Sequence, residues 1–188
     1  MAITLYDDSD NVVSNAYATI QDAIDAALAG YRIEVGAGTY VENLTVDKDI
    51  TIEGAFAGTA GSDGARDLMG GAGESTLQGR MVILADNATI AGMRFAEGAG
   101  GGAFDLAGIH VQASGAEIAN STFYRSGAVD ADLSRAIINS VGNGDGLTVT
   151  DNAMTGWHTG TYVQGASNVT VSGNHYIDNL VGVSADAY

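Results

Sequence analysis

The chain has no cysteine, no proline and a single lysine, Lys48, among its 188 residues. Without cysteine there is neither a disulfide nor a thiol nucleophile, although that absence does not set the compartment. Seven lysine and arginine residues against 23 acidic ones leave a net charge of −16, which disfavours nucleic acid and anionic membrane as partners. No stretch is long and apolar enough to span a bilayer, so no membrane insertion is expected. The opening Met1-Ala-Ile-Thr-Leu-Tyr6 lacks the pattern of a secretory leader. Export is therefore expected to use a leader already removed, or a signal located elsewhere in a larger protein.

Glycine, by contrast, is abundant, with 27 residues, roughly twice the usual share. The glycines follow no three-residue period, so they read as corners. Between Thr19 and Ala29 the pattern is helical. Ile20, Ala23, Ile24, Ala27 and Leu28 form one apolar stripe, Thr19 is placed as N-cap with Asp22 three residues on, and Gly30 is placed as the stop. Short β-like segments follow at once: Ile33-Glu-Val35, Gly38-Thr-Tyr40-Val-Glu42, Leu44-Thr-Val46 and Ile50-Thr-Ile52-Glu-Gly54.

The remainder repeats weakly. Thr89 to Phe95, Glu117 to Phe123, Thr148 to Met154 and Thr170 to Tyr176 align on Ile90, Ile118, Val149 and Val171, which lie 28, 31 and 22 residues apart. About seven or eight residues before most of these anchors comes a second apolar segment: Met81 to Ile83, Ile109 to Val111, Tyr162-Val163 and a last partial copy at Val181-Gly-Val183. The pairs Asp86-Asn87, Ser114-Gly115 and Ser167-Asn168 between them suit left-handed corners. Each rung thus reads as strand, corner, strand and a longer loop. Asn43, Asn87, Asn120 and Asn168 sit in Asn-x-Thr sequences and read as corner residues rather than glycan acceptors. The Gly-rich run from Gly58 to Gly73 reads as an excursion from a rung. The expectation is an all-β, right-handed parallel β-helix of about six rungs, spanning residues 1–188 as one domain. The helix at about 19–29 forms its lid and the rungs occupy about 31–188.

The opening third resembles the N-terminal part of the pectin lyase-like superfamily. There, a helix with spaced apolar and Ala positions precedes segments like Ile33-Glu-Val35, Gly38-Thr-Tyr40-Val-Glu42 and Ile50-Thr-Ile52-Glu-Gly54; the departure is Gly36-Ala37, where proline is common. The resemblance implies the fold and says little of activity. Among the superfamily's enzymes, polygalacturonases carry Gly-His-Gly and Arg-x-Lys segments and pectin methylesterases an Asp-Phe-x-Phe-Gly segment, all absent here. Mannuronan epimerases carry a proline-containing segment, which a proline-free chain lacks. A pectate lyase needs a basic residue and Ca²⁺, for which Arg94, Arg125 and Arg135 are the later-rung arginines.

If the anchors superimpose, loops 96–107, 124–136, 155–160 and 177–180 leave one edge of the coil. That edge gathers Glu97, Phe104, Asp105, Arg125, Asp130, Asp132, Arg135, Trp157, His158 and Asp178. Glu97, Phe104, Trp157, His158 and Asp178 are the candidate sugar-binding residues, with Trp157 either a platform for a sugar ring or an apolar plug. Asp105, Asp130 and Asp132 are the candidate Ca²⁺ ligands, or else a solvated acidic loop. Arg125 and Arg135 are the candidate catalytic bases. His110 and His175 fall in outward columns and read as surface strand residues. Gly144-Asp145-Gly146 reads as a turn, and Asp151-Asn152 as a stacking corner.

The leading expectation is a non-catalytic module of an exported bacterial surface protein, of adhesin or layer-forming type, with polysaccharide as a partner. The alternative is a carbohydrate-active enzyme, a Ca²⁺-assisted polysaccharide lyase or uronate epimerase. The end at Val181 to Tyr188 reads as an open coil, to be covered by further rungs or by a second copy in a homodimer.

Overall fold

The computed structural model describes residues 2–69, 71–96, 107–126 and 134–186. The chain opens with a hairpin, β1 (Ile3–Tyr6) and β2 (Val12–Ser14), followed by helix α1 (Ile20–Ala26). Six rungs of three strands follow. They are β3 (Arg32–Val35), β4 (Gly38–Tyr40) and β5 (Leu44–Val46); then β6 (Thr51–Glu53), β7 (Ser75–Gln78) and β8 (Met81–Ile83). The third and fourth rungs are β9 (Thr89–Ala91), β10 (Met93–Ala96) and β11 (Ala107–Val111), then β12 (Glu117–Ala119), β13 (Thr122–Tyr124) and β14 (Arg135–Asn139). The last two are β15 (Thr148–Thr150), β16 (Ala153–Thr155) and β17 (Thr159–Gln164), then β18 (Thr170–Ser172), β19 (His175–Ile177) and β20 (Val181–Asp186).

Successive rungs pair in parallel and build three sheets. The first runs β3-β6-β9-β12-β15-β18 and is extended by β1 and β2; the second runs β4-β7-β10-β13-β16-β19; the third runs β5-β8-β11-β14-β17-β20. This is an all-β parallel β-helix. Its registers show why the repeats align: Ile33, Ile52, Ile90, Ile118, Val149 and Val171 are direct partners from rung to rung. Tyr40, Leu77, Phe95, Phe123, Met154 and Tyr176 form the second inward column. Side chains of one phase point inward in every rung, so one apolar cluster runs the length of the coil.

Two boundaries differ from the sequence reading. Each rung holds three strands rather than two, because Gly92, Asn120, Asp151 and Gly173, at φ between 51° and 66°, each turn the chain between strands within the aligned segments. β20 accordingly completes the sixth rung rather than opening another. The helix is also shorter than 19–29. Its C-cap is Ala27 in extended conformation, Leu28 is 62% exposed, and Gly30 lies in the turn beyond. The hairpin β1–β2 was not foreseen; β1 pairs antiparallel with β3, placing Leu5 opposite Ile33.

The lid is held by hydrogen bonds at both ends of the helix. The Thr19–Asp22 capping box forms as expected. The Glu42 carboxylate accepts from the backbone N–H of Ile20 and Gln21 at 3.0 and 3.1 Å. Gln21 bonds both backbone groups of Thr45, and the sole lysine donates to the carbonyls of Ile24 and Asp25 at the helix's other end. Ile20, Ala23 and Ile24 then cover the first rung, fully buried.

The corner between the first and second sheets carries a polar ladder. Asn152 is fully buried; its Oδ1 accepts from Ser121 N–H and its Nδ2 donates to Ile118 O and to Asn174 Oδ1. At the corner between the third and first sheets, Asp86 and Asp145 each accept from a backbone N–H of the next rung, Ser114 and Ser167. The excursion after β6, residues 55–74, forms a strap along the outer side of the second sheet. Asn120 Nδ2 donates to Ala57 O at 2.6 Å, Gly61 N–H to Asp151 O at 2.7 Å, and Arg94 Nη2 to Met69 O at 2.8 Å. Within it Arg66 and Glu74 form an ion pair of 2.7 Å with both side chains wholly buried, and Arg66 Nη1 reaches the coil by donating to the Asn120 carbonyl.

Candidate functional site

Along one edge of the coil the strands of the second sheet give way to those of the third, and the outer face of the third sheet adjoins that edge. Residues at one phase of that sheet point outward: Val82, His110, Ile138 and Tyr162 are register partners, with Gln112 and Ser140 just past the ends of β11 and β14. Gly108, Ala136 and Gly160 are small for a reason on the inner side. A Cβ at Gly108 would meet Phe123 at 3.0 Å, and one at Gly160 would meet Tyr176 at 2.5 Å.

Arg135 opens β14 and so lies in a strand, not in the loop to which the sequence reading assigned it. The reason is that Arg135 to Asn139 continue the third sheet in register with Ala107 to Val111. Its guanidinium sits 4.7 Å from the centre of the Tyr162 ring, a cation–π contact. Burial holds that guanidinium below the usual arginine range, against the opposing influence of Tyr162. Tyr162 in turn donates its hydroxyl to Asp186.

His110 is not a surface residue: it is 7% exposed, although it occupies the outward column expected of it. Alternation with the inward Ile109 and Val111 told its direction but not what encloses it. Its Nε2 lies 2.8 Å from Ser140 Oγ and its Nδ1 3.3 Å from the Gln112 amide nitrogen. With Gln112 donating to Nδ1, the neutral ring carries its proton on Nε2 and gives it to Ser140. Burial, reinforced by the charge of Arg80, lowers the His110 pKa and favours this neutral form. Ile138, between His110 and Tyr162, is 1% exposed.

Arg125 follows β13 at 9% exposure, and its Nη1 donates to Ser134 Oγ at 2.8 Å. The same hydroxyl accepts from the His158 backbone N–H at 3.1 Å, while the Ser134 carbonyl accepts from Thr159 N–H at 3.0 Å. Ser134, which carried no sequence signal, thereby joins Arg125 to His158. The His158 ring is half-buried with Nδ1 3.0 Å from Thr159 Oγ1. Trp157 is 4% exposed and belongs to the apolar cluster of the coil, so its ring serves as the plug and turns no open face to the edge. Asp178 is exposed at a left-handed corner with φ 51°, next to Asn179, whose Oδ1 accepts from the Trp157 backbone N–H at 2.8 Å. His175 is exposed, in the outward column of Arg94 and Thr122, as expected.

Glu97, Phe104, Asp105, Asp130 and Asp132 lie outside the described residues, and with them the whole candidate Ca²⁺ set. Among the described residues no group of three or more His, Asp or Glu side chains is placed to hold a metal ion. The edge thus brings together Arg125, Ser134, His158 and the buried Trp157. The adjoining face adds Arg135, Tyr162, His110, Gln112 and Ser140. Chemically it offers guanidinium donors, an aromatic ring and several hydroxyl and amide groups on a rigid support. Comparison with known protein families, with curated proteins and with solved structures finds no match to this chain.

Proposed function

We propose that this parallel β-helix is a non-catalytic, polysaccharide-binding module of an exported bacterial surface protein, related to the pectin lyase-like superfamily. The observation that carries the reading is the outer face of the third sheet, where Arg135 stacks on Tyr162 and the accessible Gln112 and Ser140 flank the enclosed His110. A guanidinium and a phenol ring match the carboxylate and the apolar face of a uronate, and hydroxyl and amide groups match sugar hydroxyls. The acidity, the single lysine and the missing cysteine accord with an extracellular, cell-surface setting.

Titration calorimetry against a panel of polyuronates and neutral glycans tests the proposal, together with a turnover assay on the same panel. Binding of at least one polymer, weakened ten-fold or more by Arg135→Ala or Tyr162→Ala at unchanged melting temperature, is expected. Absence of binding across the panel would overturn the ligand class. Turnover at enzyme-like rates would make the protein a lyase or epimerase instead, with Arg125 or Arg135 as the base to substitute next.

A further inference from the structure

The turn from β14 to β15, residues 140–147, carries the one asparagine of the chain that a glycine follows, in Asn143-Gly144. Packing dictates that glycine. Gly144 has φ 87°, and a Cβ on it would stand 2.9 Å from Asn139 Cβ and 3.1 Å from Asn139 Nδ2. Asn139 cannot give way, because it is fully buried and ties two rungs together. Its Oδ1 accepts from Gln164 N–H at 2.7 Å, and its Nδ2 donates to Gln164 O at 2.9 Å.

The Asn143 side chain, by contrast, is under no such constraint. Asn143 is exposed, and among the described residues neither its side-chain amide nor the Gly144 N–H has a hydrogen-bond partner. Gly144 is buried, so its unpartnered N–H carries a cost that any reaction consuming it relieves. The rest of that peptide group is held in place. Asn143 N–H donates to Ser140 O at 2.9 Å, and the Asn143 carbonyl accepts from Asn139 Nδ2. If the Gly144 nitrogen loses its proton, the charge is shared with this same carbonyl oxygen, where a buried donor already waits. Neighbouring steps lack the combination. Gly146 N–H, after Asp145, donates to Ser167 O at 2.8 Å, and Ser121 N–H, after Asn120, donates to Asn152 Oδ1 at 2.8 Å.

We propose that Asn143 is a site of spontaneous covalent modification, at which the folded chain deamidates itself. Hydroxide or water removes the Gly144 amide proton, and the nitrogen attacks Asn143 Cγ. The two atoms are separated only by the main chain of one residue, and a side chain without partners is free to turn towards the nitrogen. The Cγ–Nδ2 bond breaks and Nδ2 leaves as ammonia, taking up a proton. Water then opens the succinimide at either carbonyl, giving aspartate or isoaspartate at position 143. Both products exchange an amide for a carboxylate and so add negative charge beside Asp145. Isoaspartate also lengthens the main chain of the turn by a methylene and displaces the carbonyl that Asn139 holds.

Peptide mapping with isoaspartate detection tests this on protein kept at mildly alkaline pH, folded and in parallel in urea. Conversion at Asn143 in the folded protein is expected within about three-fold of its rate in urea, whereas folding slows Asn120 by about ten-fold or more, since the N–H after it must first be released. Asn143→Gln is expected to abolish the early release of ammonia at unchanged melting temperature. Suppression of Asn143 by folding to the same degree as Asn120 overturns the proposal. So does ammonia release that persists unchanged in Asn143→Gln.

Discussion

Asn174 Oδ1 accepts at 3.0 Å from both the backbone N–H and the side-chain amide of Asn152, one rung earlier at the same corner. Asn152 passes the pattern on to Ser121 N–H and Ile118 O, so its side chain bonds two other rungs from a site with no solvent access. Asn152→Ala would leave those groups buried without partners and should lower unfolding free energy by about 2–3 kcal/mol. Asn174→Ala, in the half-buried terminal rung, should lower it less. Denaturant titration of both variants measures the difference, and equal effects would contradict it.

Phe95 and Phe123 stack with centroids 4.8 Å apart and planes 7° from parallel. Phe123→Ala should cost about 3–5 kcal/mol through the cavity it leaves. Gly108→Ala adds a methyl group 2.8 Å from Ala136 O and 3.0 Å from Phe123 Cδ1, and should cost about 1–3 kcal/mol by overpacking. Chemical denaturation checks both, and a neutral Gly108→Ala would show that the stack has slack.

Glu74→Gln strips the charge from a fully buried pair and leaves Arg66 uncompensated, so the variant should lose about 3–5 kcal/mol. Replacing both partners, as Arg66→Met with Glu74→Leu, should recover at least half of that loss. Limited proteolysis should find the strap cut faster in Glu74→Gln than in the double variant. Identical cleavage rates would mean that the pair does not hold the strap.

His110 gives the fold a pH dependence whose sign follows from its burial. Its pKa in the folded state lies below the ordinary 6.5, so below that pH the unfolded chain binds a proton that the folded chain resists. Stability should therefore be full above about pH 6.5 and fall as the pH drops from there towards the folded-state value. His110→Gln should flatten melting temperature between about pH 7 and 5. Asp7 and Asp145, whose carboxylates are held below 3.8 by hydrogen bonds, act only at lower pH. An unchanged slope in the variant would remove His110 as the cause.

The inward ladders were legible in the sequence because parallel stacking places the same phase of each rung over the next. Ile90, Ile118, Val149 and Val171 therefore had to recur in register. The corners were legible because Asn87, Gly115 and Asn168 adopt positive φ, which few other residue types tolerate. The capping of α1 was local as well, since Thr19 and Asp22 are three residues apart. Burial of the outer faces was not legible. His110, Arg94 and His175 look alike in an alternating strand, and yet the first two are enclosed while the third is exposed. What encloses Arg94 is a strap joined to it across 25 residues, and what joins Arg125 to His158 is a serine hydroxyl from a third segment. Alternation encodes which side of a sheet a residue faces. Whether that side meets water depends on which distant segment folds back across it, a choice made by packing over the whole chain.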